Sequence, residues 1–274
     1  LTAGTAFLMW LGEQITANGV GNGISIIIFA GIVAAIPTTV QQLYLSQFQN
    51  EDQLFLTIAK ALGFILVILA LIVAIIFVQQ GVRRIPIQYA KRLVGRQTVG
   101  GQTAHLPIKV NAAGVIPVIF AVAIFYTPRT IAGFFGDSQF ANWLIETIDY
   151  TNPIGATVYA LLIIAFTYFY TFIQVNPEQM AENLKKQGGY IPGTRPGKAT
   201  QDRITSILYR LTFVGSLFLA FVAIVPIFFT VFINLPPSVQ IGGTSLLIVV
   251  GVALDTMKQI DSQLIKRHYK GFIK

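Results

Sequence analysis

Residues 54–78 read LFLTIAKALGFILVILALIVAIIFV, with a single charge, at Lys60. A stretch this long and this apolar has few ways to fold. A helix that crosses a membrane needs about 20 mainly apolar residues, within a range of about 17–25. In hydrocarbon the backbone must satisfy its own hydrogen bonds, which leaves the helix or a closed barrel. The pattern recurs at 23–40, 111–127, 153–173 and 211–233, with a shorter run at 242–257 that has a polar start. The opening stretch LTAGTAFLMWLG (1–12) has no initiator Met and no signal-peptide charge pattern, and it reads as the second half of a further helix. Only 11% of the chain is charged, against about 25% in an average soluble domain. The chain is expected to be an integral membrane protein with six spans after an opening half-helix.

Lysine and arginine orient the spans. Segment 81–109 carries Arg83, Arg84, Lys91, Arg92, Arg96 and Lys109 and no acid. Segment 174–210 carries Lys185, Lys186, Arg195, Lys198, Arg203 and Arg210, and the tail 258–274 carries five more cations. Together these three hold 17 of the 19 basic residues. The alternate loops 41–53, 128–152 and 234–241 hold only Arg129. The expected orientation puts the basic segments and the C-terminus in the cytoplasm.

Several function classes are disfavoured. A proton- or ion-coupled transporter keeps ionisable groups at mid-membrane. Here Lys60 lies near a span end and can snorkel, and Asp255 lies close to a cytoplasmic end. No span pairs Ser with His, and no two spans pair Asp with Asp, so an intramembrane protease lacks its groups. NGVGNG (18–23) opens an apolar helix without the strand and Lys-Ser/Thr of a phosphate loop, so it reads as a turn with Asn22 as helix cap. The chain has no cysteine, so thiolate chemistry and Cys-ligated metals are out. His105 and His268 stand alone in basic stretches. No catalytic residue, metal or cofactor is expected, and no enzyme.

The spans do hold small residues and helix breakers. Gly31, Gly63, Gly114, Gly155, Gly215 and Gly251 allow close helix approach. Pro37, Pro117 and Pro226 permit kinks.

Taken together, MWLGEQITANGVGNGISIIIFAGIVA (9–34), HLPIKVNAAGVIPVIF (105–120), NPEQMAENLKKQGGYIPGTRPGKAT (176–200), RLTFVGSLFLAFVAIVP (210–226) and GGTSLLIVVGVALD (242–255) resemble the SecY family, central subunits of the bacterial protein-conducting channel. The details are similar to Gram-positive, Bacillus-like members. The resemblance covers essentially the whole chain. It implies an all-α polytopic transmembrane helix bundle of ten spans in two halves around an hourglass pore, of which this chain lacks the first three spans. It assigns 1–12 to the end of span four, 13–53 to a cytosolic turn, span five and an outer loop, 54–80 to span six, and 81–109 to a basic cytosolic loop. Span seven, at 110–127, is one wall of the lateral gate. An outer loop (128–152), span eight (153–173), a second basic loop (174–210), span nine (211–233), an outer turn with span ten (234–257) and a cytosolic tail (258–274) follow.

The same resemblance carries roles to particular residues. It implies a pore ring of Ile28, Ile32, Ile119 and Ile248, a dry collar that resists ions at rest and seals around a passing chain. Ile28 and Ile32 are four apart and share a helix face. It places Asn111 and Pro117 in the lateral gate. It implies docking of the SecA ATPase or the ribosome at Arg83, Arg84, Lys91, Arg92, Arg96 and Arg195. Pro192, Gly193, Pro196 and Gly197 would limit where Arg195 points. The expected partners are SecE, SecG, SecA, the ribosome, an unfolded secretory or membrane polypeptide, the N-terminal part of the same protein and the lipid bilayer. The implied setting is the bacterial plasma membrane. A secondary transporter for a small solute is the rival reading, and would need a polar midplane site. A membrane insertase without a through-pore is another.

Overall fold

The computed structural model describes residues 2–48, 54–89, 92–94, 97–99, 103–135, 138–233 and 243–270. Among the described residues, six helical stretches are long and apolar enough to cross a membrane, beginning at Gly23, Ile58, Ile116, Pro153, Lys198 and Gly243. The chain divides into two compact units, Leu1–Ile76 with Val222–Lys274, and Phe77–Phe221.

In the first unit, α1 (Thr2–Asn18) and α2 (Gly23–Phe48) meet at a tight corner. The Thr16 hydroxyl donates to the Gly12 carbonyl at 2.8 Å and accepts from Gly23 N at 2.8 Å. Asn22 caps α2 as expected, its Oδ1 accepting from Ile24 N at 3.1 Å and Ser25 N at 3.3 Å. This gives the opening amides the acceptors a helix start otherwise lacks. Most of α3 (Leu54–Gln80) belongs to this unit, and Phe64 stacks on Phe229 of α8 (Lys198–Ile233) with ring centroids 6.3 Å apart. α9 (Gly243–Lys270) packs on α2 and buries Leu247, Ile248, Val250 and Val252. Its first residue, Gly243, lies against the Val222 carbonyl, where no Cβ would fit.

The second unit holds α4 (Ile116–Ala132), α5 (Gln139–Thr147), α6 (Pro153–Gln174), α7 (Pro177–Lys186) and the start of α8. It also holds strands, where the sequence reading expected only loops. β1 (Val82–Tyr89) pairs antiparallel with β4 (Thr103–Lys109) and with β5 (Gly189–Tyr190), while β2 (Arg92–Val94) and β3 (Gln97–Val99) form a separate hairpin. The cause is the period-2 alternation of Ile85 and Ile87, which turns both side chains to one face of the strand. Both are buried, together with Ile108, Leu184, Ile191, Ile204 and Leu208. Pro86 can sit in β1 because β5 reaches only Gln88 and Tyr89, so no amide is needed there on that side. The expected outer loop 128–152 likewise contains helix, α5 and the end of α4.

α8 has 36 residues and so runs about 54 Å, well beyond a hydrocarbon core of about 30 Å. Its first turns, with Lys198, Asp202 and Arg203, are therefore the part left to water. Ile204 and Leu208, buried against β1, tie the sheet to this helix.

Candidate functional site: an apolar helix face and a basic β-platform

Three of the four expected ring positions fall in the first unit. Ile28 and Ile32 are half-buried on α2, one turn apart, and Ile248 is buried on α9, the helix that packs on α2. Ile119 lies on α4 in the second unit and is half-buried. Beyond Phe29, α2 is exposed at most positions, including Val33, Ile36 and Val40. An apolar face of this extent belongs against lipid, other helices or a polypeptide.

The two expected gate residues sit where α4 begins. Val110 N donates to the Gly81 carbonyl at 2.9 Å, which ends the strand segment. Asn111 is buried, and its amide donates to the Gly114 carbonyl at 3.0 Å across a turn in which Gly114 takes φ +67°. Its Oδ1 is buried with no hydrogen-bond partner among the described residues. An unpaired buried acceptor of this kind costs about 1–3 kcal/mol. Pro117 stands in the first turn of α4, where a missing amide costs nothing and the fixed φ favours the helix. It therefore starts α4 and does not kink it, which corrects the expectation of a proline kink at this position. The kinkable prolines lie inside other elements, Pro37 in α2 and Pro226 in α8, with Pro128 late in α4.

Gly215 of α8 lets this junction close, since a Cβ there would meet the Val110 carbonyl oxygen at 3.0 Å. Gly155 is equally constrained, against the Asp149 carbonyl. A Cβ at Gly31 or Gly114 would meet nothing within 4 Å among the described residues.

Of the expected docking cations, Arg83 and Arg84 lie on the β4–β1–β5 sheet and Arg195 on the turn that follows β5. β5 brings the second basic segment onto the first through the pairs Gln88↔Tyr190 and Tyr89↔Gly189, and the Tyr190 hydroxyl donates to Gln88 Oε1 at 3.1 Å. Arg83 and Arg84 are both exposed on β1, but successive strand residues face opposite sides, so they cannot serve one contact equally. Arg92 lies on β2, opposite Val99 of β3. Lys91 and Arg96 lie outside the described residues.

Arg195 is exposed in a turn pinned at both ends. Ile191 is buried in the platform core and its carbonyl accepts from Thr194 N at 3.0 Å and from the Thr194 hydroxyl at 2.9 Å. Thr200, buried, donates its hydroxyl to the Arg195 carbonyl at 2.9 Å. Gly193 and Gly197 take φ of +82° and +106°, which only glycine adopts without strain. Among the described residues the ion pairs are Arg129–Asp149 and Lys186–Glu182. Arg83, Arg84 and Arg195 thus have no carboxylate partner there, and their charge is open to an acidic or phosphate-bearing surface. No cluster of three metal-ligating side chains occurs among the described residues.

In the sequence these cations form two basic loops, whose segments the structure joins through the pairing of β5 with β1. The signal was present in RIPIQY and HLPIKV, where apolar residues alternate with others.

A family model for SecY matches residues 1–257. The chain is 73% identical over 276 residues to the protein translocase subunit SecY of Halalkalibacterium halodurans, covering 100% of this chain and 64% of that protein. It is 67% identical over 275 residues to the protein translocase subunit SecY of Bacillus subtilis, again covering 100% of this chain and 64% of the relative. The chain therefore spans about 64% of the length of these curated relatives. A solved SecY structure concerned with the plug domain and the closed translocation channel covers 100% of this chain and 67% of that one, at 20% identity and TM-score 0.61. At that identity the likeness speaks for the fold. These relatives are translocase subunits, which leaves the solute-transporter rival without support. The family model, the relatives and the shared fold agree, and this chain belongs to the SecY family.

Proposed function

We propose that the chain supplies the larger part of the pore-forming subunit of a protein-conducting channel in the bacterial plasma membrane. It passes unfolded secretory polypeptides across the membrane and releases membrane helices sideways past α4. The observation that carries this reading is the chain-long identity of 73% to a protein translocase subunit. Three features support it. The ring positions Ile28, Ile32, Ile119 and Ile248 are all apolar. The start of α4 combines a glycine turn with a buried Asn111 oxygen that has no partner among the described residues, so the packed junction leaves one polar group unsatisfied there. The platform presents Arg195 on a stiff turn, with no carboxylate partner among the described residues. The chain itself hydrolyses nothing in this reading. SecA or the translating ribosome docks on the platform from the cytosol, which sets the C-terminus in the cytoplasm, and SecE, SecG and the remaining N-terminal spans complete the channel.

The test is export of a secretory precursor into vesicles carrying the full protein with SecE, driven by SecA and ATP. Arg195→Ala removes one charge-assisted hydrogen bond of about 1.5–3 kcal/mol, which predicts roughly a ten- to hundredfold loss of export rate. Arg195→Lys, which keeps charge but not the planar fork, falls between. Export that is unchanged in Arg195→Ala would remove Arg195 from the docking surface. Absence of export by the unaltered protein would overturn the channel reading.

A further inference from the structure

The end of α4, the turn after it and α5 form a second apolar surface that the conduit does not use. The 3₁₀ turn Gly133–Phe135 continues α4, and the apolar stretch Ile116–Phe135 runs through it without a break. Phe134 and Phe135 there are 87% and 71% exposed. α5 is capped by Ser138, whose hydroxyl oxygen accepts from Ala141 N at 3.2 Å. At 100° per residue its nine positions sort into three faces. Ala141 is buried against the protein, while Gln139, Asn142 and Glu146 are polar and lie opposite. Between them Phe140 and Trp143 are 71% and 59% exposed and stack on each other at 6.2 Å. Beneath lies a wholly apolar pocket of about 230 Å³, lined by Pro128, Ile131, Ala132, Phe135, Phe140, Ala141 and Leu144.

The hairpin is held in place at its base. Arg129 Nη1 lies 3.2 Å from Asp149 Oδ2, joining the last turn of α4 to the chain beyond α5. The Asn152 amide donates to the Glu146 carbonyl at 3.3 Å. Phe125 stacks on Tyr150 at 4.6 Å, and Tyr150 meets Tyr159 edge-on at 5.0 Å. So α5 cannot lift away freely, and its aromatic face is held beside the last turns of α4.

Four large aromatic side chains exposed together would be a liability in water. They continue the exposed apolar side of α4, which includes Phe120, Ile124 and Ile131, and α4 is long and apolar enough to span a membrane and, on the function proposed above, opens to lipid along the gate. Aromatic residues, Trp above all, favour the headgroup level. A short helix with one charged-polar face and one aromatic face lies in the interface plane, its apolar face about 5–10 Å into the headgroup–acyl boundary.

We propose that α5 is a lipid anchor, with Phe134, Phe135, Phe140 and Trp143 in the membrane interface and a phospholipid acyl chain seated in the pocket beneath. The leaflet it occupies rests on the orientation proposed above, and is the outer one. The anchor itself does not depend on that orientation.

In the full protein, replacing Trp10 and any tryptophan outside this chain by Phe leaves Trp143 as the single tryptophan. Reconstituted into vesicles of phosphatidylglycerol and phosphatidylethanolamine, Trp143 should lose more intensity to bromines near the carbonyl end of the acyl chains than to bromines near the methyl end. Aqueous iodide should quench it little. Absence of bromine quenching would overturn the anchor: strong iodide quenching would then put α5 in water, and protection from both quenchers would put it under a protein partner. The pocket is read separately, with a phospholipid bearing a diazirine in its acyl chain. Crosslinks should fall on Ala132, Phe140 and Leu144 and drop at least severalfold when Ile131→Trp fills the pocket. Crosslinks untouched by that filling would overturn the acyl-chain seat. Bromine quenching that persists while an impermeant label reports α5 on the cytoplasmic side would leave the anchor standing and refute the orientation.

Discussion

Gly23 shows how one residue sets the entry to α2. A Cβ there would collide with the Gly12 carbonyl oxygen and lie 2.9 Å from Ile15 Cβ. Backbone cannot give way cheaply, so Gly23→Ala should destabilise by about 3 kcal/mol, the upper end of overpacking costs. At Gly31, further along the same helix, an added Cβ would meet nothing within 4 Å among the described residues. There Gly31→Ala should gain about 0.8–1 kcal/mol from helix propensity alone. Thermal melts of the two variants in detergent check the pair, and equal melting points would refute the corner geometry. Asp149 offers a pH test at the same scale. Burial would raise its carboxyl, but Thr151 N and Oγ1 donate to Oδ1 at 3.0 and 2.9 Å and Arg129 adds its charge, and the net effect is a value below the ordinary 3.8. A group lowered on folding stabilises above its unfolded value and loses that contribution as pH falls through the folded one. Protection of the α5 amides from hydrogen exchange should therefore hold from neutral pH to about 4 and fall below it. Asp149→Asn should weaken protection at neutral pH and flatten this dependence. An unaltered profile in Asp149→Asn would contradict the role given to the ion pair.

Among the elements, the β-platform carries the sharpest lesson. Ile87 is 3% exposed and sits where β1 meets β5. Ile87→Ala should cost about 2–5 kcal/mol of local stability, loosening β5 and with it the Arg195 turn. Hydrogen exchange over 82–89 and 189–200 should rise together, and a rise in one segment alone would separate the two loops. The spans were legible because about 20 apolar residues leave hydrocarbon as the one comfortable setting. The Asn22 cap was legible because its signal is local. The platform was harder, since β5 joins β1 from far along the sequence and Pro86 and Pro107 interrupt the strand pattern. Positive charge in 81–109 and 174–210 marked two basic segments but not the pairing of β5 with β1 that joins them. α5 was hidden for another reason: nine residues are too few for a span, and the amphipathic signal is brief.

For the whole molecule, the proposed apolar ring positions could not be chosen from sequence physics. Span five reads ISIIIFAGI, and no isoleucine in it differs chemically from the next. The family resemblance selected Ile28 and Ile32, and the structure places them one turn apart on α2, the helix on which Ile248-bearing α9 packs. Site-specific photocrosslinking tests the conduit directly. A crosslinker at Ile28, Ile119 or Ile248, with a control at the exposed Leu69 of α3, is carried by the full protein assembled with SecE and challenged by a secretory chain stalled during SecA-driven export. Crosslinks from the three isoleucines and none from Leu69 are predicted. A chain that crosses the membrane while all three isoleucines stay dark would contradict the pore assignment.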